Sequence, residues 1–514
     1  MRNKEGQSSI GGAAPAAEKK SVYMRFAGWA DGSTWRVLGV SFVLSALVLL
    51  VFSVYNTPLN NYYGYDSAFF QLIGKGIANG KIPYIDLYDQ KGPMVFYINA
   101  LGYLLTGSRL GVFLLQILFM TASLCVVYRL ARLWLNSSVS FGILFAYLFL
   151  YIGTVQEGNM TEEWSQIFLL LPLYLSLRFL KSGAAVSEHP KRYSFLYGVC
   201  FGALLMFRVT NAASVGGLIL AFIILFCREK KTRQLLVHAL LVLLGAAVVI
   251  APFCLYFVRV NAFDEFIHAS ITHNFSYATG GVSARGLRGW VSILGSVFFA
   301  VPFCAAYRPL TESGTLDTRT YILLAGYTLV GAVSMFFGYT YRHYFLNLVP
   351  AVTAVLLIGI AWGIRTAPEH RGKARRAIAA ALLVCLLPFV PQAARQCGKV
   401  VLYTGLHQLD RDVQRGEALS AAITSDRDSV WGYNVEAQAY LYADILPCFR
   451  FFALQEWMEA SDARIAPEIG DRLANDPPVW VFLGREEEGM IEKLLSLGYE
   501  EVECSSYCLL HKAP

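Results

Sequence analysis

Between Arg36 and Gln392 the sequence is a succession of apolar runs, each near the length of about 20 residues that a helix needs to cross a bilayer. The runs fall near 36–56, 110–128, 139–155, 164–180, 194–207, 212–227, 235–258, 289–306, 320–338, 344–363 and 377–392. In lipid each backbone polar group must be satisfied within the spanning structure, and helices do this segment by segment. The expectation is an α-helical multi-span membrane protein of about 11 transmembrane helices. Composition agrees, since 56% of the 514 residues are hydrophobic and only 15% are charged, too apolar for a soluble fold.

Charge gives the topology, because Lys and Arg gather on the cytoplasmic side of membrane helices. The basic clusters are Lys19, Lys20 and Arg25; Arg129 and Arg132; Arg178, Lys181, Lys191 and Arg192; Arg228, Lys230, Lys231 and Arg233; Arg308 and Arg319; and Arg365, Arg371, Lys373, Arg375 and Arg376. With these spans, all six clusters lie on one face. The loop after the first run, the Gln156–Glu163 loop, the 259–288 loop and the whole tail lie on the other. Met94–Leu105 decides the parity. Read as a span, it would put Arg129 and Arg132 outside, so it is expected to lie in or dip into the outer leaflet. Asp66–Asn79, with Phe69, Phe70, Ile73 and Ile77 at helical spacing, is likewise expected at the interface.

Three regions follow. Residues 1–33 lack an apolar period and read as a disordered basic cytoplasmic arm. Residues 34–392 form the membrane domain, whose first outer loop is 57–105. Residues 393–514 read as a small soluble extracytoplasmic α/β domain, with strand-like SVWGYN, PVWVFLG and YEEVECSSYCLLHK around helical Ala437–Tyr442 and Glu486–Leu497. From Arg395 onward there are 20 acidic against 11 basic residues, and before it 32 basic against 16 acidic. The net excess of base therefore belongs to the membrane part and reads as topology, with no nucleic-acid partner. Of the ten cysteines, Cys504 and Cys508 are placed where a disulfide could form. The expected location is the plasma membrane, multi-pass, with a cytoplasmic N-terminus and the C-terminal domain outside.

The outer face collects the polar residues that topology does not explain. They are Asp66, Asp86, Asp89 and Lys91 in the first loop, and Glu157, Glu162 and Glu163 in the second. Arg208 and Asn211 follow in FRVTN, then His268, His273 and Asn274, then Arg342 and His343 in YTYRHY. Charges beside membrane spans are costly unless they face water or a site. A carboxylate can accept a proton from an attacking hydroxyl, and Arg or Lys can clamp a phosphate. Together they suit glycosyl transfer from a lipid phosphate, which needs a base and stabilisation of the departing phosphate. Asp66, at a helix start, serves equally as an N-cap or as that base. His268 and His273 read as structural.

Here a resemblance enters. A first span followed by GYDSAFF, a small-residue helix and GKIPYIDLYDQKGP is similar to the first outer loop of polyprenyl-phosphate-sugar glycosyltransferases of the GT-C superfamily. TEEW, FRVTN and YRHYFLNLVP also resemble that group, in particular dolichyl-phosphate-mannose protein mannosyltransferases and lipid A aminoarabinose transferases. The resemblance implies an inverting transfer from a polyprenyl-phosphate sugar to an extracytoplasmic acceptor, a protein, lipid or glycan. It implies Asp66 as base; Lys91, with Arg208, Arg342 and His343, near the donor phosphate; and Glu162, Glu163 or Asp89 as a second acid toward acceptor or metal. A divalent cation has a place in that scheme. Ser67 and Gln90 stand where many relatives carry acids, which leaves the metal in doubt. Two other multi-span classes share the composition: a lipid-linked saccharide transporter or flippase, and a polysaccharide polymerase.

Overall fold

The computed structural model describes residues 21–283, 285–368 and 370–512. It is a helical membrane protein with a four-stranded sheet near its C-terminus. Among the described residues, eight helices are long and apolar enough to cross a membrane. They are Thr34–Phe52, Arg109–Ala131, Ser137–Thr154, Val209–Arg228, Thr232–Arg259, Leu287–Ala305, Arg342–Thr366 and Arg371–Gly405. The other expected spans fall on Thr161–Lys181, with charges at both ends, and on Lys191–Phe207 and Thr318–Ser334, each 17 residues long. Met94–Leu105 lies in the 14-residue helix Pro93–Thr106. Helix Arg371–Gly405 continues well past Gln392, so the last long helix runs directly into the tail.

The expected irregular arm is corrected where it is described. Residues 1–20 lie outside the described residues, but Val22–Asp31 is a helix, α1. Ser21 Oγ caps it by accepting from Met24 N–H at 3.2 Å. Ala27 and Ala30 are fully buried, and Phe26 packs on Phe141 at 5.6 Å between ring centroids. Asp31 fixes its end, accepting from Tyr128 at 2.7 Å and pairing with Arg132 at 3.0 Å. Long-range partners, which an aperiodic sequence does not reveal, make this helix.

The first loop is packed into the protein. In Asp66–Ala78, helix α2, nine of the thirteen residues are buried. Its aromatic stripe packs on both sides, Phe70 against Phe96 of helix α3 (Pro93–Thr106) and Phe69 against Phe452 of the tail. Burying each such ring is worth roughly 1.5–3 kcal/mol. The tail and the first loop thereby share one hydrophobic core, running from Phe70, Leu87 and Val95 to Trp431, Tyr440 and Phe482.

The sheet has strands β1 (Val430–Tyr433), β2 (Trp480–Leu483), β3 (Glu500–Val502) and β4 (Cys508–His511), in the order β1-β2-β4-β3. β1 pairs parallel with β2, Val430 opposite Trp480, while β4 runs antiparallel to both β2 and β3. The parallel pair requires a crossover, which helices Gln438–Ala443, Gln455–Glu459 and Ile465–Asn475 supply. Cys504 and Cys508 are free thiols, and Cys504 Sγ lies 3.3 Å from Ser506 Oγ. The disulfide admitted by the sequence does not form.

Candidate active site

Asp66 is the first residue of α2, and its side chain keeps 41% of its exposure. It does not cap the helix. Instead Glu157 reaches across from the second loop, its Oε2 accepting from the backbone N–H of Tyr65 at 3.1 Å and of Ser67 at 3.3 Å. A carboxylate at a helix N-terminus is favoured by the orphan N–H groups and the dipole. Gly64 permits this approach: at φ +72° it adopts the left-handed conformation, and a Cβ there would lie 2.9 Å from Glu157 Oε2. Glu157 is buried beside Asp66. Burial, then the Asp66 charge, push its carboxyl up to about 8.

Asp66 opens into a cavity of about 320 Å³. Asp89, Gln90, Lys91, Glu157, His343 and Tyr344 line it, and Leu454 and Trp457 of the tail close it. His343 Nε2 lies 4.0 Å from Asp66 Oδ2, and its Nδ1 sits 3.0 Å from Gln156 Oε1. Asp89 is buried; burial raises its pKa, against which the Lys91 charge acts. Its Oδ1 accepts from Gln90 N–H at 2.7 Å. Gln90 Oε1 is buried with no hydrogen-bond partner among the described residues.

The loop carrying Asp89 and Lys91 is fastened from several sides. Tyr84 donates to the Lys91 carbonyl at 2.8 Å, Asn274 to the Gln90 carbonyl at 2.8 Å, and Tyr88 N–H to the Arg450 carbonyl at 3.0 Å. Asp86 closes the loop's own turn, accepting from Ile82 N–H at 2.6 Å. Gly92 then docks against the end of helix Lys191–Phe207, its N–H donating to the Phe207 carbonyl at 3.1 Å. A Cβ at Gly92 would lie 2.1 Å from the Met206 carbonyl oxygen, so only glycine fits. This contact sets Lys91 beside Arg208, the next residue after Phe207. Arg208 is extended at the helix end and nearly buried. Its Nη1 lies 3.4 Å from Glu162 Oε1, and its guanidinium sits 3.7 Å from the centroid of Tyr344.

Arg208 and Glu162 lie behind the Tyr344 wall of the cavity and do not line it, and two further sequence candidates stand apart from it altogether. The Arg342 guanidinium turns away, donating to the carbonyls of Val155 and Gln392 and to Gln396 Oε1 at 2.7 Å. It fastens the second loop to the last long helix. Glu163 is buried within helix packing, accepting from Tyr151 at 2.6 Å and from Gln116. Sequence reasoning singled out Glu162 or Glu163 as the second acid. The structure brings Glu162 to Arg208 and adds Glu157 beside Asp66. The turn after Glu157, with Gly158 and Asn159 both at positive φ, was the available signal that this loop folds back. Tyr341, Tyr344, Leu454 and Trp457 carried none.

His268 and His273 join the tail, as the structural reading expected. His268 Nε2 lies 3.0 Å from Asp462 Oδ2; His273 lies 2.9 Å from the Tyr88 hydroxyl and 2.8 Å from Ser461 Oγ. With Asp462 they are the one described trio of potential metal ligands within mutual reach. They do not line the Asp66 cavity, and Arg464 already grips the Asp462 carboxylate at 2.9 Å. Around Asp66 the ligand atoms of Asp89, Glu157 and His343 do not converge as those of the His268–His273–Asp462 trio do, and no step below is routed through a cation.

The arrangement offers a water-accessible carboxylate and a lysine in one cavity, with an arginine on the far side of its Tyr344 wall. Residues 90–256 match the family model described as dolichyl-phosphate-mannose-protein mannosyltransferase. That span begins at Gln90 and contains Lys91, Glu157, Glu162 and Arg208. No curated protein sequence matches the chain. Among solved structures, the fold is similar to that of ArnT from Cupriavidus metallidurans bound to undecaprenyl phosphate. The likeness has TM-score 0.58 and 15% identity, covering 92% of this chain and 99% of that one. The family match over residues 90–256 and the fold likeness over most of the chain are both consistent with the GT-C resemblance of the sequence motifs.

Proposed function

We propose that the protein is a membrane glycosyltransferase that moves a sugar from a polyprenyl-phosphate-linked donor to an acceptor hydroxyl, with inversion. The observation that carries this is the meeting of Asp66 and Lys91 in one cavity, with the Arg208–Glu162 pair against its Tyr344 wall. The acceptor hydroxyl gives its proton to Asp66 as its oxygen attacks the anomeric carbon. The bond from that carbon to the phosphate oxygen breaks, and polyprenyl phosphate leaves. Lys91 and Arg208 stabilise the charge that develops on the leaving phosphate. Gln90 Oε1, buried without a partner among the described residues, accepts from a hydroxyl of the bound sugar. His343, oriented by Gln156, lies beside Asp66 and faces the same cavity. In this reading Arg342 and Glu163 hold the scaffold and do not touch substrate.

The fold likeness to an undecaprenyl-phosphate complex supports the donor class. The basic clusters support a plasma-membrane protein with a cytoplasmic N-terminus, the cavity and tail facing outward. The donor then enters laterally from the outer leaflet. The test is binding and envelope chemistry together. Purified wild-type protein should bind undecaprenyl phosphate and Lys91→Ala should bind it at least tenfold more weakly, while deletion of the protein should remove one sugar substituent from the cell-envelope mass spectrum. Equal binding by both proteins, or an unchanged envelope, would contradict the reading.

A further inference from the structure

A second polar cleft, of about 270 Å³, lies in the C-terminal domain between helix Asp410–Ala422, the turn after β1 and the loop after β2. Glu436 lines it. Its Oε2 is buried and accepts no hydrogen bond from any described residue. An unsatisfied buried carboxylate oxygen is costly, and such groups call for a partner. The like charges of Asp66 and Asp412 act on it. The cleft and the Asp66 cavity share a wall: Leu454, which lines that cavity, donates its N–H to the Val435 carbonyl at 3.1 Å, one residue before Glu436.

We propose that this cleft is the acceptor subsite and seats a neutral saccharide, Glu436 accepting a hydrogen bond from one of its hydroxyls beside Asp66. The inference rests on the glycosyltransferase reading and extends it to the acceptor. Three features select the class. Tyr442 and Tyr507 present rings, and Gln438 an amide, the mixture that matches a sugar's apolar faces and hydroxyls. Asp412, Glu436 and Glu486 oppose an anionic, phosphorylated headgroup. Arg415, stacked on Tyr507 at 4.8 Å and donating to the Ser506 carbonyl at 3.2 Å, offsets part of that acidic charge and adds a hydrogen-bond donor to the same wall.

The test uses the full-length protein in lipid nanodiscs, titrated separately with undecaprenyl phosphate, a panel of neutral disaccharides, a phosphorylated sugar and a lysine peptide. A neutral disaccharide should bind the wild type. Its affinity should fall about tenfold or more in Glu436→Ala, and in the near-isosteric Glu436→Gln if the alanine variant unfolds, as expected for losing a hydrogen bond to a charged group. Undecaprenyl phosphate affinity should be unchanged in both. The proposal is overturned if disaccharides bind all three proteins equally, if none binds while undecaprenyl phosphate does, or if a phosphorylated sugar or a lysine peptide is the ligand lost with Glu436. Disaccharide binding that depends on Glu436, with no binding of undecaprenyl phosphate, would instead contradict the glycosyltransferase reading and keep the saccharide cleft.

Discussion

Arg208 and Glu162 face each other at 3.4 Å, both nearly buried, with the guanidinium backed by Tyr344. Removing one partner of a buried pair leaves an uncompensated charge, which costs about 3–5 kcal/mol. Arg208→Ala should therefore lower the thermal midpoint and abolish donor binding. Glu162→Gln removes the acid but leaves a hydrogen-bonding oxygen. It should keep most of the stability, and activity should fall because the arginine is less well aimed. Equal losses of stability in the two variants, read by thermal denaturation, would contradict this.

Glu157 makes a prediction with a pH sign. Its carboxyl titrates near 8 in the folded protein against an ordinary 4.5, pushed up by burial and by Asp66. The folded state therefore holds a proton that the unfolded state has released. Stability from this group is complete below the unfolded value and is lost as pH rises through about 8. The thermal midpoint should fall across that window in the wild type and fall less in Glu157→Gln. The same variant should lower the transfer rate more than it changes the donor KM, because it loosens the helix start that carries Asp66. A pH profile unchanged by the substitution would refute the assignment.

Gly92→Ala should disturb the site through the backbone. The added Cβ meets the Met206 carbonyl oxygen, and the overpacking costs about 1–3 kcal/mol. Lys91 and Arg208 would separate, so the donor KM should rise. An unaltered KM, measured with a polyprenyl-phosphate sugar, would show that this contact does not set the phosphate site.

Arg342 separates scaffold from site. Its bonds to the carbonyls of Val155 and Gln392 and to Gln396 fasten the second loop to the last long helix. Arg342→Ala should cost about 1.5–3 kcal/mol of stability and leave undecaprenyl phosphate affinity unchanged. Loss of affinity at unchanged stability would return Arg342 to the donor site.

Much of the fold was legible because hydrophobic run length is a local signal. Each expected span has a described helix, strands β1 and β2 fall in the strand-like runs around Trp431 and Val481, and the alternating run to Lys512 folds as the antiparallel pair β3 and β4. Local signals failed where partners are distant. The stripe of Phe69, Phe70, Ile73 and Ile77 gives no sign in the sequence that Phe452, from the tail, packs on Phe69. Arg342 and Lys91 are alike as charges beside membrane helices, and only the position of Gln396 distinguishes strap from site. Asp66 was ambiguous between cap and base for the same reason. The residue that caps its helix, Glu157, comes from the next outer loop.

The account turns on Asp66, and the direct measurement is transfer by Asp66→Asn in reconstituted membranes with a polyprenyl-phosphate sugar. Asparagine keeps the size and hydrogen-bonding oxygen but cannot take a proton. The variant should fold, insert and bind undecaprenyl phosphate as the wild type does, with transfer reduced about a hundredfold or more, within the usual contribution of a positioned base. Transfer at the wild-type rate would contradict the assignment of Asp66 and the mechanism built on it.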